Sequence, residues 1–264
     1  MSEFLKLFRE TSDLDLLWQT DPYLAQSLGK EDFSRIKTVV LHAEKTTVEI
    51  GAGSNPLKGL IFFDAINTIC VDPAYAWYEQ KAESDIFKSK IPPDVFGGIG
   101  YKREITENAR KAFKNLRVPQ KIEGPEQKII QGNRFGQERI IKLIPSDAAV
   151  WLSEQEPDSI PNLVMWRVFT SAQNWGKLIS SLKTSGYLIT TGIGRSAFGE
   201  LLDDENQNRF SGGVDVRDTP LPRNGKSESI GLLPIPFRNP VQFFYQKIRD
   251  YPPDYIAQKI REYS

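Results

Sequence analysis

The sequence predicts an α/β fold: a mostly parallel sheet with helices on both faces. Three observations lead there. An apolar run at 46–50 passes into the turn Gly51-Ala52-Gly53 and then into a helix start at Ser54-Asn55-Pro56-Leu57, which is a strand–turn–helix unit. A second apolar run, Thr68-Ile69-Cys70-Val71, follows that helix and stops at Asp72-Pro73. The chain of 264 residues, 39% hydrophobic and 26% charged, can bury a sizeable core as one large α/β domain with additions, or as two small domains.

Charge and cysteine content narrow the function classes. Lys+Arg and Asp+Glu both number 34, so the formal net charge is zero, which argues against a broad nucleic-acid footprint. The single cysteine, Cys70, sits in an apolar run and is expected to be a buried small hydrophobe; no internal disulfide can form, and the sequence offers no cysteine metal cluster. The only histidine, His42, follows a helix-like run and is expected to be a capping or surface residue, so histidine-based metal chemistry is set aside. The first fifteen residues lack a signal-peptide core, and no run approaches the roughly 18 apolar residues of a membrane span. A cytoplasmic protein without a membrane partner is the expectation.

In chain order, residues 3–20 carry apolar side chains interrupted by Thr11-Ser12-Asp13, which suggests two short helices, the second capped by Ser12 or Asp13. Asp21-Pro22 breaks the pattern, and 23–28 and 33–41 look like further helical pieces. Residues 1–44 thus form an N-terminal helical segment that either covers the substrate side as a lid, with Trp18 and Tyr23 as candidate substrate contacts, or serves as a structural flap.

At the glycine turn, Gly51 and Gly53 let backbone approach a ligand and adopt positive φ. Ser54 or Asn55 can cap a helix over 57–65, whose free amides attract a carboxylate or phosphate. Asp72, at the end of the second strand and about twenty residues past the glycines, can hydrogen-bond a ribose diol. The dinucleotide fingerprint wants a glycine where Pro56 stands, and Glu49 would repel a pyrophosphate but accept from an ammonium group. Both features favour an amino-acid-bearing nucleoside over NAD.

These residues resemble class I S-adenosylmethionine-dependent methyltransferases. Glu49-Ile50-Gly51-Ala52-Gly53-Ser54-Asn55-Pro56 resembles the family's first motif, and Val71-Asp72-Pro73 its ribose-binding acidic position. The run 140–148, ending in Asp147-Ala148, is similar to its third strand and adenine-binding acid; 162–169 is similar to its fourth strand, and 177–191 to its next helix, turn and fifth strand. The resemblance implies a Rossmann-like seven-stranded mostly parallel sheet with an antiparallel C-terminal strand, occupying 45–264. It implies S-adenosyl-L-methionine as methyl donor, with Gly51, Ala52 and Gly53 on its amino-acid part, Glu49 on its ammonium directly or through water, Asp72 and Pro73 at the ribose, and Asp147 and Ala148 at the adenine.

The family needs only a helix between its second and third strands, which 74–87 can supply, so 88–137 reads as an insertion: a lid, a dimer arm or a disordered excursion. The fourth strand should end facing the reactive methyl group, which makes Trp166 and Phe169 candidate substrate contacts. Arg167 stands there too, as a candidate for the bound groups or as a partner for a core acid. A helix over 148–154, loops over 193–225, strands over 230–235 and 241–247 and an amphipathic helix over 253–263 complete the chain.

No general base is identifiable. The Asn/Asp-Pro-Pro-Tyr/Phe signature of N-methylation is absent after the fourth strand, where Arg167-Val168-Phe169-Thr170 stands, and no histidine follows. These negatives favour a small-molecule acceptor (amine, hydroxyl or carboxylate) in specialised metabolism, with no nucleic-acid partner and a monomer or homodimer. The competing readings are a non-catalytic binding or assembly protein of the same fold and an NAD-dependent oxidoreductase.

Overall fold

The structure is a computed structural model that describes residues 3–53, 55–76, 108–117, 128–165, 171–191, 226–236 and 242–263. Its strands are β1 (Thr46–Ile50), β2 (Asn67–Val71), β3 (Lys114–Arg117), β4 (Lys128–Arg134), β5 (Gln137–Ile144), β6 (Ile160–Met165), β7 (Leu182–Thr191), β8 (Leu232–Ile235) and β9 (Gln242–Lys247). The helices are α1 (Glu3–Thr20), α2 (Pro22–Val39), α3 (Lys58–Phe63), α4 (Ala148–Ser153), α5 (Ala172–Ser181) and α6 (Pro253–Tyr263).

All nine strands form one mixed sheet in the order β3-β4-β5-β2-β1-β6-β7-β9-β8. The central five, β5-β2-β1-β6-β7, are parallel throughout. The chain moves outward from β1 through β2 to β5, then returns to the other side of β1 as β6. The strand order therefore reverses between β1 and β6, the point beyond which open α/β sheets bind ligands. Antiparallel pairs close both edges, β3 and β4 beside β5, and β9 and β8 beside β7. The expected sheet of seven strands with one antiparallel strand is thus corrected to nine with antiparallel strands on both flanks.

The extra strands come from the stretch read as an insertion. β4 pairs with β5 residue for residue, from Lys128↔Leu143 to Arg134↔Gln137, so the boundary expected at 137 falls inside a hairpin. Its two-residue turn, Phe135-Gly136, has φ of 51° and 80°, the geometry that matches strand twist. Phenylalanine is uncommon at positive φ, which is why the turn does not announce itself in the sequence. Residues 77–107 and 118–127, including most of the helix expected over 74–87, lie outside the described residues.

Alternation along the strands sends side chains to two cores. Val48, Ile50, Val71, Leu163, Met165 and Leu188 pack under α5 and α6. Cys70, Val164 and Ile189 face the opposite layer of α1, α2 and α3, with Leu17, Leu24, Phe33, Leu60 and Phe62. α6 matches the expected 253–263, with Ile256, Ala257 and Ile260 fully buried. It crosses α5 closely at Gly176, where a Cβ would lie 2.2 Å from the Pro253 carbonyl oxygen. A helix normally gains about 1 kcal/mol when glycine becomes alanine. Here that gain loses to a backbone clash, and Gly176→Ala is expected to destabilise by about 1–3 kcal/mol, readable as a lower urea midpoint. An unchanged or higher midpoint would show that α6 shifts at no cost.

The N-terminal segment differs from expectation in one respect. α1 is a single continuous helix through Thr11-Ser12-Asp13, because Asp13 is buried in ion pairs rather than spent on a cap. α2 does divide into two pieces, at Gly29 (φ 64°, ψ 174°), and its cap is Asp21, whose Oδ1 accepts from the Leu24 amide at 3.1 Å. Pro22 follows in the first turn, where its missing N–H costs nothing. Cys70 is buried and His42 exposed, as expected. No described helix is long and apolar enough to cross a membrane.

Candidate functional site

The carboxyl ends of β1, β2, β5 and β6 are level. Ile50 pairs with both Val71 and Met165, and Val71 with Ile144. The residues that follow these ends therefore stand in a row along one edge of the sheet, at about 4.8 Å per strand. Gly51 and Gly53 leave β1 with φ of 68° and 56°, conformations that strain any residue with a Cβ. Around Gly53 the position a Cβ would take has nothing within 4 Å, so the turn opens onto free space.

A carbonyl of β2 and two side chains that follow it hold the turn in place. The Gly51 amide donates to the Val71 carbonyl at 3.0 Å. The Gly53 amide donates to Asp72 Oδ2 at 2.9 Å, and the Tyr75 hydroxyl donates to the Gly53 carbonyl at 3.0 Å. Both backbone groups of Gly53 are thus clamped by residues immediately after β2. Asp72 is half-buried and Pro73 exposed. Tyr75 was not foreseen; its signal is a lone buried aromatic in the short 3-10 turn Pro73–Ala76.

Glu49 takes a different place from the one expected. Its side chain is fully buried on the α1–α3 side of β1, where both oxygens face the start of α3. Oε1 accepts from the Lys58 amide and Oε2 from the Gly59 amide, each at 3.4 Å, and Lys58 Nζ lies 3.6 Å away. The thiol of Cys70 donates to Oε2 at 3.7 Å. Burial raises the Glu49 pKa, opposed by the Lys58 charge, the two amides and the thiol. The Cys70 thiol is pushed up by burial and by the Glu49 charge, so it stays protonated and unreactive.

One expectation is corrected by this arrangement. The amides at the start of α3 are not free for a ligand anion, because an internal carboxylate already takes them. The charge of Glu49, expected to meet an ammonium directly or through water, is answered here by Lys58 and the helix start. Lys58 itself, 2% exposed and donating to the Asn55 carbonyl at 3.2 Å, was missed; a single lysine inside the apolar run Lys58–Phe63 is its only trace in the sequence. Asn55 does not cap α3 either. It reaches back, and its Nδ2 donates to the Thr20 carbonyl at 3.0 Å, fastening the glycine turn to the end of α1.

Asp147 sits past the end of β5 as the exposed N-cap of α4, its Oδ1 accepting from the Ala149 amide at 2.7 Å. Ala148 is the half-buried first residue of that helix. Trp18 is 47% exposed one half-turn before Thr20. Tyr23 lies in the first turn of α2. Trp166, Arg167 and Phe169 lie outside the described residues. The structure therefore brings Gly51, Ala52, Gly53, Asp72 and Pro73 together, puts Asp147 and Ala148 two strands away on the same edge, and turns Glu49 inward.

No protein-family model matches the sequence, and no curated protein matches it. Several solved structures are similar in part. Trm1 from Pyrococcus horikoshii, solved with S-adenosyl-L-methionine, aligns with 98% of this chain and 58% of its own at 12% identity and a TM-score of 0.43, so the chain spans little more than half of that protein. Spermidine synthase from Thermotoga maritima aligns at 8% identity over 86% of this chain and 67% of its own, with a TM-score of 0.38. The N-methyltransferase NodS from Bradyrhizobium japonicum WM9 aligns at 9% identity over 82% and 94%, with a TM-score of 0.37. At these scores the likeness carries no argument, and the α/β assignment rests on the strand order and register above.

Proposed function

We propose that the chain is an S-adenosylmethionine-dependent methyltransferase acting on a small-molecule acceptor. The observation that carries this reading is the clamp of Gly53 by Asp72 and Tyr75 at the point where the strand order reverses. A glycine turn with open space beside it, flanked by an acid on the next parallel strand, suits a nucleoside whose hydroxyls need an acceptor and whose polar tail follows the backbone. The capping of α3 by Glu49 disfavours the oxidoreductase alternative, because a pyrophosphate would need the amides that Glu49 occupies.

In this reading Gly51, Ala52 and Gly53 hold the amino-acid end of the donor through backbone, Asp72 accepts from the ribose with Pro73 beside it, and Asp147 with Ala148 borders the adenine. The bound donor supplies an already activated sulfonium methyl. The chain's contribution is to orient donor and acceptor in line and exclude water. Trp18, Tyr23, Trp166 and Phe169 are the residues proposed to meet the acceptor, an amine, hydroxyl or carboxylate, with Arg167 on the donor side, in a monomer or homodimer.

Calorimetric titration with S-adenosylhomocysteine is expected to show saturable binding. Asp72→Ala should weaken it by about 1–3 kcal/mol, the cost of removing a charged acceptor. Unchanged affinity in that variant would remove Asp72 from the site. Binding of NADH in place of S-adenosylhomocysteine would favour the oxidoreductase, and binding of neither a non-catalytic module.

A further inference from the structure

Asn55 stands two residues past Gly53, and its amide ties it back to the glycine turn by donating to the Ala52 carbonyl at 3.3 Å. The residue is 7% exposed. Its Nδ2 donates to the Thr20 carbonyl at 3.0 Å. A carbonyl oxygen only accepts, so this bond fixes which end of the carboxamide faces the end of α1. Oδ1 therefore lies on the side turned away from Thr20, and it is buried without a hydrogen-bond partner. A buried acceptor left unmade is costly, and a group in that state within a candidate ligand site calls for an explanation.

The neighbouring acceptors are already engaged. Glu49 is met by Lys58 and by the Lys58 and Gly59 amides, and the Gly53 carbonyl by the Tyr75 hydroxyl. The Ala52 carbonyl takes the Asn55 amide itself. A ligand group that brings N–H donors to this turn thus finds Oδ1 without a competitor. The last torsion of an asparagine side chain is soft, so Oδ1 can meet a group laid along the turn while Nδ2 keeps its bond to Thr20.

We propose that Asn55 is a specificity residue for the donor: Oδ1 accepts from the ammonium at the donor's amino-acid end, while Nδ2 holds the end of α1. This inference rests on the methyl-donor reading and names the group that selects the amino-acid end. An ammonium has donors and no acceptor, and its charge strengthens the bond it makes to a neutral oxygen. Contact with the ammonium and a purely structural role in the turn have different consequences. A structural role costs every nucleoside alike when Asn55 is replaced, whereas a contact costs only the ligands that carry the amino group.

Isothermal titration of the full chain compares three ligands: S-adenosylhomocysteine, its deamino analogue, and 5′-methylthioadenosine, which lacks the amino-acid end. The parent is expected to bind S-adenosylhomocysteine about tenfold or more tighter than the deamino analogue, the effect of one hydrogen bond to a charged group. In Asn55→Leu, similar in size, that preference should collapse to within about threefold, while 5′-methylthioadenosine binds as it does to the parent. Asn55→Ser is the second variant, and circular dichroism identifies which of the two keeps its fold. Failure of all three ligands to bind the parent would overturn the methyl-donor reading and this inference with it. Binding of S-adenosylhomocysteine with no preference over the deamino analogue would overturn the inference alone. So would a preference that survives in a folded variant, or a parallel loss of 5′-methylthioadenosine binding.

Discussion

Replacing Glu49 by alanine is expected to destabilise the fold by about 3–5 kcal/mol, the cost of breaking one side of a buried ion pair. Most domains have only about 5–15 kcal/mol in total, so the variant should be largely unfolded in mild urea. The side chain is fully buried, and its removal takes the carboxylate from Lys58 and the acceptors from the first two amides of α3. The glycine turn stands directly on that helix start, so donor binding and stability should fall together. Glu49→Gln keeps an acceptor for the amides and should cost less.

The pH dependence separates the carboxylate's charge from its hydrogen bonds. Burial holds the Glu49 pKa above its ordinary value, so the fold favours the protonated form. The stability this confers is fully present below the unfolded pKa of about 4.3 and is lost as pH rises through the higher folded value. Glu49→Gln cannot ionise, so its stability relative to the parent should improve as pH rises across that window. Urea melts at a series of pH values read the difference directly. A difference that stays flat would mean that Lys58 and the amides offset the desolvation in full.

The second large effect is expected at Asp13. Its carboxylate, 2% exposed, joins α1 to α2 through Lys37 and to β4 through Arg134. Asp13→Ala leaves those two buried cations facing each other and should cost about 3–5 kcal/mol. Asp13→Asn retains an acceptor and should cost less. Hydrogen exchange on α1 and α2 should accelerate before that of β1, because the lost pair fastens the helical layer to the sheet edge. A loss below about 1 kcal/mol would put the pair in the range of solvated surface bridges and sink the expectation.

Much of the fold is legible because it follows from local pattern. The apolar runs of β1, β2, β5 and β6 show directly, and α6 shows through its amphipathic spacing and Pro253 start. β4 does not, because its pairing with β5 depends on a hairpin with Phe135 at positive φ, a conformation the residue type does not advertise, and β3 is held only by β4. The continuity of α1 is hidden for a similar reason. Thr11-Ser12-Asp13 resembles a helix cap until Asp13 finds its partners on α2 and β4.

At the candidate site the sequence by itself determined the backbone: Gly51 and Gly53 take positive φ, and strain against a Cβ is a property of two residues that needs no neighbour. It also determined that Asp72 would follow the adjacent strand. Only the tertiary structure decided where the charges face. Glu49 turns to α3 because β1 lays it in a buried layer where Lys58 and two amides are the available partners. Asp13 and Arg134 meet across 121 residues of sequence. Desolvation makes such pairings obligatory without specifying them in advance, because a buried charge must find a partner and the fold alone determines which one is within reach.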